Sequence, residues 1–401
     1  MPSPRALLLE NIHPDAARRL ADAGFAVSAR PAAPSASALA GSLRGISLLG
    51  VRSRTKVTAS VLAAAPDLLA VGCFCVGTDN VDLAAARDRG VAVFNAPYSN
   101  TRSVAELVVG ELVMLMRRAC DKSRLLHQGV WDKSAAGCRE VRGKTLGIIG
   151  YGNIGGQVGI LAEALGMRVL YYDLVDKLSL GNAARCRSQA EVLRRSDAVT
   201  LHVDDAPENA GLIGERQLAA MPRGAFLINA SRGRVVDIPA LARALRRGRL
   251  GGAAVDVFPT EPEGNGKGFR SPLQGLPNVI LTPHIGGSTA EAQRNIAADV
   301  SEKLHRYVHL GDTYYSVSLP QVQLPVLRRC HRILHIHRNV PGVMSQINTV
   351  LAGHGINITG QYLETNEKVG YAITDIARRY DRAVLRALEG IRETIRLRVL
   401  F

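Results

Sequence analysis

The chain has 401 residues, of which 47% are hydrophobic and 21% charged, and its formal net charge at pH 7 is +15. This length predicts two or three domains, and the composition is that of an ordinary soluble globular protein. No segment reaches the roughly 18 uninterrupted apolar residues of a membrane span, and residues 1–20 lack a signal-peptide pattern. Six cysteines without C-x-x-C or framework spacing indicate a reducing, cytoplasmic location. Because the basic residues are spread along the whole chain, the charge favours acidic ligands and predicts no specific nucleic acid and no membrane.

The first ~100 residues alternate strand-like and helix-like segments, which indicates a small parallel-sheet domain. The predicted strands are residues 5–9, 25–28, 46–51, 68–73 and 91–94, with a helix at residues 15–23.

A long, strongly apolar helix is predicted over residues 103–118, with Ser103 and Glu106 placed as a capping box. A helix this apolar needs cover on several sides, so it is either central or at a subunit interface. We therefore expect a homo-oligomer.

A glycine-rich turn, G-x-G-x-x-G, is formed by Gly150, Gly152 and Gly155, between a strand at residues 146–149 and a helix at residues 157–165. Gly150 permits a tight turn, Gly152 lets the backbone approach a pyrophosphate, and Gly155 lets helix and strand pack closely. The N–H groups at the helix start would hold the phosphate charge. The motif therefore predicts dinucleotide binding.

An acid ends the next predicted strand, residues 167–172. Asp173 lies 18 residues after Gly155, close to the spacing expected for a carboxylate that binds the adenosine ribose. Such a carboxylate repels a 2′-phosphate, so the sequence favours NAD over NADP. The alternative is a strand-end Asp that only caps a turn.

The alternation then continues and completes a doubly wound dinucleotide domain of about six parallel strands. Strands are predicted at residues 198–203, 225–229, 253–257 and 279–281, and helices at residues 189–194, 215–220 and 239–246. A long helix at residues 289–307 and a linker at residues 311–325 follow. The remaining order is β-α-β-β-α-β, typical of a ferredoxin-like domain; its elements are residues 333–336, 342–352, 356–363, 369–376, 381–390 and 394–400.

Three later stretches carry a resemblance to a known family: residues 229–233 (NASRG), 256–262 (DVFPTEP) and 282–287 (TPHIGG). Together with the glycine turn, they resemble the D-2-hydroxyacid dehydrogenases. Residues 49–55, 72–77 and 94–106, and a tail that resembles an ACT domain, are similar to the members that oxidise 3-phosphoglycerate in L-serine biosynthesis.

The resemblance implies an α/β fold in which a Rossmann NAD-binding domain is inserted in a flavodoxin-like substrate domain, followed by a ferredoxin-like ACT domain. The implied boundaries are residues 1–100 and 288–316 for the substrate-binding domain, 101–287 for the NAD-binding domain and 326–401 for the ACT domain.

The family mechanism assigns roles to three residues. His284 would remove the hydroxyl proton as a hydride leaves C2, since imidazole titrates near neutral pH. Glu261 would orient His284 and stabilise its imidazolium. Arg232 would clamp the substrate carboxylate and polarise the C2 oxygen.

The resemblance also implies sets of binding residues. Arg52, Arg54 and Lys133 (from a neighbouring subunit) would bind the substrate, because paired guanidiniums suit oxyanions. The cofactor contacts would be Gly150, Gly152, Asn153, Ile154, Gly155, Asp173, Ala230, Ser231, Arg232, Asp256, His284, Ile285, Gly286 and Gly287.

L-Serine is the implied effector, bound by His337, Asn339 and Asn357 of the ACT-like tail, and the family is typically tetrameric. A metal cluster of His331, His335 and His337 is the rival interpretation, but it lacks a Cys or carboxylate of matching spacing, so no metal is predicted. The linker at residues 325–331 lacks the expected Gly-Gly hinge, Arg338 and Val340 depart from the serine motif, and residues 202–205 lack the usual Pro of the adenine pocket.

Two alternatives remain open at this point. Another 2-hydroxyacid dehydrogenase, such as a 2-oxoglutarate reductase, also acts on a dianionic acid. A non-catalytic, NAD-sensing binding protein similar to corepressors would have no need of Arg232, Glu261 and His284 together.

Overall fold

The computed structural model describes residues 3–262, 264–325, 331–377, 380 and 382–400. Three sheets form within these ranges, and the chain divides into two compact units, Met1–Ser99 with Gln293–Phe401, and Asn100–Ala292. Cys330, the start of the predicted helix at Asp381, and most of the linker at residues 325–331 lie outside the described residues.

The first unit contains a five-stranded parallel sheet in the order β2-β1-β3-β4-β5, the flavodoxin-like order that was expected. All residues of β3 and β4 are buried, which explains their continuous apolar runs. The strands are β1 Arg5–Leu8, β2 Ala26–Ala29, β3 Leu48–Val51, β4 Ala70–Cys73 and β5 Ala92–Phe94, and the helices are α1 Pro14–Asp22, α2 Ala36–Ser42, α3 Ala59–Ala63 and α4 Leu83–Asp88.

The second unit contains a parallel sheet in the order β12-β11-β10-β9-β6-β7-β8, the doubly wound arrangement. It has one strand more than predicted, because the two-residue β8 is too short to show periodicity. Its strands are β6 Thr145–Ile149, β7 Arg168–Tyr172, β8 Ala184–Arg185, β9 Ala198–Leu201, β10 Ala225–Asn229, β11 Leu250–Val255 and β12 Val279–Leu281; its helices are α5 Thr101–Arg117, α6 Ala119–His127, α7 Asn153–Ala164, α8 Gln189–Arg195, α9 Glu215–Ala220 and α10 Ile238–Arg246.

The capping box predicted for α5 is wrong. The helix begins at Thr101 after Asn100, so Ser103 already lies inside its first turn. The Ser103 hydroxyl instead shares a 2.7 Å hydrogen bond with Thr289, and Glu106 pairs with Arg102 at 2.6 Å. The apolar face of α5 is buried within its own unit.

The C-terminal elements form the four-stranded antiparallel sheet β14-β15-β13-β16 with two helices, which confirms the ferredoxin-like prediction. They are β13 His331–Arg338, α12 Val343–Gly353, β14 Ile358–Thr365, β15 Val369–Ile376, α13 Arg382–Glu389 and β16 Thr394–Leu400, and α11 Ala290–Leu310 precedes them. Across the described ranges, no helix is both long and apolar enough to span a membrane.

Candidate active site

The glycine turn after β6 has a different geometric requirement at each glycine. Gly150 has φ +89°, and a β-carbon there would collide with the carbonyl of His202. A β-carbon on Gly155 would collide with the carbonyl of Gly150, so helix and strand approach closely at this point. Around Gly152 a β-carbon would meet nothing within 4 Å. The turn therefore leaves open space beside its middle glycine.

Helix α7 begins at Asn153, four residues before the predicted start, because Gly152 itself is its N-cap. No side chain of the described residues caps this end. Asn153 and Ile154 therefore lie in the first turn, where backbone N–H groups have no intrahelical partner. Such an end attracts anions.

Asp173 directly follows β7 and lies beside the glycine turn. Its Oδ2 accepts the N–H of Tyr151 at 2.8 Å, and its Oδ1 accepts the N–H of Val175 at 2.9 Å. Each carboxylate oxygen can accept a second hydrogen bond. The carboxylate is thus held in place and retains acceptor capacity for a ribose.

Arg232, Glu261 and His284 follow the ends of three neighbouring strands, β10, β11 and β12. The strands are in register, with Asn229 opposite Val255 and Val255 opposite Leu281. The carboxyl ends of parallel strands meet at one edge of a sheet, which is where ligands bind in this architecture.

His284 and Glu261 form a hydrogen-bonded dyad, with 2.8 Å between His284 Nδ1 and Glu261 Oε2. Glu261 Oε1 accepts the N–H of Phe258 at 3.0 Å, which fixes the carboxylate. The hydrogen bond to Glu261 raises the pKa of His284 above 6.5, although burial opposes this. Burial acts to raise the pKa of Glu261, but its hydrogen bonds to His284 and Phe258 outweigh it, and the pKa is lowered. His284 has φ +55°, a conformation that costs energy in a non-glycine residue.

The Arg232 guanidinium is near enough to this dyad for its charge to lower the pKa of both Glu261 and His284. Its Nη1 donates to the carbonyl of Ser231 at 2.8 Å. Asn229 fixes the loop: its amide donates to the Arg232 carbonyl at 3.0 Å, and its Oδ1 accepts the Ser231 hydroxyl at 2.8 Å. A guanidinium beside an imidazole suits a substrate that carries both a carboxylate and a hydroxyl.

Asp256 is buried and fastens the loop that carries His284. Its Oδ1 accepts the Thr282 hydroxyl at 2.6 Å and the N–H of Ile285 at 2.8 Å, and its Oδ2 accepts the N–H of Gly286 at 2.8 Å. The backbone carbonyl of Asp256 also accepts the N–H of His284 at 2.7 Å. Asp256 therefore holds three of the proposed cofactor residues of this loop, Ile285 and Gly286 by its carboxylate and His284 by its backbone carbonyl.

Glu111 is a residue that the sequence interpretation missed. It lies on the buried face of α5, and neither carboxyl oxygen has a hydrogen-bond partner among the described residues. Burial, with Asp256 as a second cause, raises the pKa of Glu111 to about 8. The signal that could have found it is an acid among the apolar residues of a helix.

The remaining predicted site residues are placed elsewhere. Arg52 and Arg54 lie in the loop after β3, in the first unit, and Lys133 is exposed in the loop after α6. In the C-terminal sheet, His337 is buried and its Nδ1 donates to the Arg338 carbonyl at 2.9 Å, whereas Asn339 and Asn357 are exposed.

Comparison with known proteins agrees with this geometry. Residues 109–286 match the NAD binding domain of D-isomer specific 2-hydroxyacid dehydrogenases, and residues 333–396 match the ACT domain of the AHAS small subunit-like type. The chain is 50% identical over 398 residues to the D-3-phosphoglycerate dehydrogenase of Escherichia coli (strain K12), covering 98% of this chain and 97% of that one. It is 49% identical over 396 residues to the Haemophilus influenzae enzyme of that name, with the same shares.

Among solved structures, the D-lactate dehydrogenase of Aquifex aeolicus, complexed with NAD and lactic acid, superposes with a TM-score of 0.65 at 28% identity. The match covers 76% of this chain and 95% of that one. The full-length similarity and the two domain matches show that this chain belongs to the D-isomer specific 2-hydroxyacid dehydrogenase family, among the D-3-phosphoglycerate dehydrogenases.

Proposed function

We propose that the chain oxidises 3-phospho-D-glycerate to 3-phosphohydroxypyruvate with NAD, the first step of L-serine biosynthesis. The observation that carries this proposal is the 2.8 Å hydrogen bond between His284 and Glu261 beside Arg232. It occurs in a chain whose relatives, over nearly its full length, are D-3-phosphoglycerate dehydrogenases.

The residues present fit NAD. The open space at Gly152, the uncapped start of α7 and the Asp173 carboxylate suit a pyrophosphate and an adenosine ribose. The residues proposed for the nicotinamide half are Ala230, Ser231, Arg232, Asp256, His284, Ile285, Gly286 and Gly287. When bound, NAD supplies the acceptor of the hydride.

Side chains of the protein accept the proton of the substrate hydroxyl and stabilise the charges that form. Because Glu261 holds Nδ1 of His284, the other ring nitrogen, Nε2, takes the proton of the substrate hydroxyl. The negative Glu261 stabilises the imidazolium that results. Arg232 holds the substrate carboxylate and polarises the oxygen at C2.

Arg52 and Arg54 are proposed to bind the substrate phosphate and carboxylate, with Lys133 of a neighbouring subunit. The domain boundaries proposed above, at residues 100, 288, 316 and 326, follow from the same resemblance. A homo-oligomer, proposed to be a tetramer, is supported by exposed apolar side chains near Lys133, of which Trp131 is 79% exposed. We place the enzyme in the cytoplasm.

L-Serine is proposed as a feedback inhibitor that binds the C-terminal ACT domain. The exposed amides of Asn339 and Asn357 support this proposal, since they can contact an amino acid from solvent. His337 is the third proposed contact, although its ring is buried. Serine titration of the activity is the measurement that checks this role.

Initial rates with NAD, measured as absorbance of the reduced cofactor, test the proposed reaction. We expect turnover of 3-phosphoglycerate, and a loss of about 10²- to 10⁴-fold in kcat for His284→Ala with NAD affinity retained. The rate should rise with pH through the raised pKa of the His284 imidazole, because only the neutral ring accepts a proton. In Glu261→Gln this limb should move to lower pH, since the hydrogen bond that raises the pKa is weakened.

His127→Ala is the matched control, because His127 is an exposed imidazole of the same unit outside the site. It should leave the rate and the pH profile unchanged. Faster turnover of 2-hydroxyglutarate than of 3-phosphoglycerate would favour the 2-oxoglutarate reductase alternative. NAD binding without turnover of either acid would favour a sensing protein.

A further inference from the structure

A single buried carboxylate holds the loop that carries the two proposed substrate arginines. Glu10 lies two residues beyond β1 and is 2% exposed. Its Oε1 accepts the N–H of Arg52 at 3.2 Å and that of Thr55 at 2.8 Å, and its Oε2 accepts the N–H of Arg54 at 3.0 Å. One side chain therefore satisfies three backbone donors of residues 52–55.

Asn80 binds the backbone carbonyls of the same loop, residues 52–55. The buried Asn80 amide nitrogen donates to the carbonyl of Arg52 at 2.9 Å and to that of Thr55 at 2.8 Å. Arg52 and Thr55 are thus each fixed at both N–H and C=O. Residues 52–55 contain no helix or strand of their own, so these side chains replace the missing backbone pairing.

The backbone before Glu10 is shaped for this contact. Strands β1 and β3 are parallel neighbours, with Leu8 opposite Gly50, so the chain leaves both strands on the same edge. Glu10 and Asn11 then have φ +62° and +50°, two consecutive left-handed residues that are not glycine. Such backbone strain persists only where the surrounding structure imposes it. The strained turn brings the Glu10 carboxyl against residues 52–55.

The Glu10 carboxyl is ionised at neutral pH, because its pKa is lowered. Burial acts to raise its pKa, but the hydrogen bonds of Thr55, Arg54 and Arg52 together outweigh burial and leave the pKa lowered. Oε2 also lies 3.7 Å from Nε of Arg54. The carboxylate thus attracts both the backbone of the loop and one of its guanidiniums.

We propose that Glu10 is a positioning residue for substrate binding, which holds residues 52–55 so that Arg52 and Arg54 present their guanidiniums together to the anionic groups of the substrate. This inference rests on the proposed function. Because Glu10 already occupies the N–H groups of Arg52, Arg54 and Thr55, those amides cannot form a phosphate-binding nest. Anion recognition by this loop is therefore assigned to the guanidinium side chains, whose forked donors suit a multi-oxygen anion.

Glu10→Gln tests the proposal, because glutamine keeps the volume and loses the charge and half of the acceptor capacity. We expect the KM for 3-phosphoglycerate to rise by about tenfold or more, with kcat and the KM for NAD changed by less than about threefold. Limited trypsin digestion should cleave faster after Arg52 and Arg54 in this variant than in the wild type.

Asp312→Asn is the matched control. Asp312 is a buried carboxylate of the same unit, 3% exposed and paired with Arg306, and it does not contact residues 52–55. It should leave the KM for 3-phosphoglycerate and the cleavage after Arg52 and Arg54 unchanged. An equal rise of the KM and of the cleavage rate in Glu10→Gln and Asp312→Asn would overturn the proposal, because it would indicate a general loosening of the unit.

An unchanged KM and unchanged trypsin cleavage in folded Glu10→Gln would also overturn it. If Glu10→Gln does not fold, Asn80→Ala is tested by the same two measurements. This variant loosens residues 52–55 by removing the hydrogen bonds to the carbonyls of Arg52 and Thr55. Wild-type enzyme that does not oxidise 3-phosphoglycerate is a failure of the proposed function alone. The trypsin comparison does not depend on activity and still decides whether Glu10 holds the loop.

Discussion

Among the described residues, each of the two compact units buries one glutamate almost completely, and the environments of these two carboxyls are opposite. Glu10 of the first unit is 2% exposed and Glu111 of the second is 1% exposed. Glu10 accepts three backbone N–H groups and has a lowered pKa, whereas the Glu111 carboxyl has no partner among the described residues and its pKa is raised to about 8. At equal burial, the donors aimed at a carboxyl decide its charge.

The difference in charge between Glu10 and Glu111 bears on function. Glu10 is ionised and orders a loop of the proposed substrate site. Near Glu111 the donors of Thr282, Ile285 and Gly286 are all taken by Asp256. The negative charge of Asp256 adds to burial in raising the pKa of Glu111, because a second negative charge beside it is unfavourable. Glu111 thus keeps its proton next to Asp256.

Glu111→Gln should have the largest effect on the pH dependence of folding. The folded chain keeps the Glu111 proton up to about pH 8, whereas the unfolded chain releases it near the ordinary pKa of 4.5. Between these values the folded state binds more protons, so the wild-type free energy of unfolding falls as pH rises, by on the order of 5 kcal/mol. Glutamine stays neutral and should abolish this fall, as urea denaturation at several pH values will show.

Glu106→Gln is the control for that experiment. Glu106 is an exposed glutamate of the same helix, paired with Arg102, and its replacement should leave the wild-type pH slope in place. If Glu111→Gln retains the full slope, Glu111 is charged in the folded chain and the contrast with Glu10 disappears.

Glu10→Gln should show the opposite pH dependence with a smaller effect. A lowered pKa stabilises the fold above the ordinary value of 4.5, and this stabilisation is lost as pH falls through the folded-state pKa. We expect the variant to lose about 2 kcal/mol of unfolding free energy at neutral pH, because charge-assisted hydrogen bonds are weakened. The loss should shrink in acid, where the wild-type carboxyl is protonated as well.

The exposed carboxylate of Asp22, in the same unit, provides the comparison for this measurement. Asp22→Asn should change neither the neutral stability nor the acid limb. A constant difference between Glu10→Gln and the wild type down to acid pH would contradict an ionised Glu10.

Periodicity and turn chemistry predicted most of the fold. The bounds of β10, β12, β15 and β16 match the predicted residues, because each strand is rich in β-branched and other apolar residues. The errors occur where a partner distant in the chain decides the outcome. Ser103 could have capped a helix, but the chain already turns at Asn100 and gives Ser103 a different partner.

The candidate site likewise contains residues that the sequence revealed and residues that it did not. The residues that resemble family motifs, such as His284 and Glu261, were found from the sequence, and their assigned roles stay predictions. Glu10 gave no local signal, and the apolar helix around Glu111 indicated its burial but not its charge, because the partners of both carboxyls are distant in the chain, such as Thr55 and Asp256. Whether a carboxyl is charged depends on donors that only the tertiary fold supplies.

Coupling between Thr282 and Glu111 should give the smallest effect. The Thr282 hydroxyl donates to Asp256 and also acts to lower the pKa of Glu111, so it favours the charged form of Glu111. A double-mutant cycle of Thr282→Val and Glu111→Leu should therefore give a coupling energy of about 1 kcal/mol above pH 8, where Glu111 is charged, measured by urea denaturation. The coupling should be smaller at pH 6.5, where Glu111 keeps its proton. Thr282→Ser keeps the hydroxyl and should preserve the coupling, and a coupling that shrinks as pH rises would instead indicate a protonated Glu111 that donates to the Thr282 oxygen.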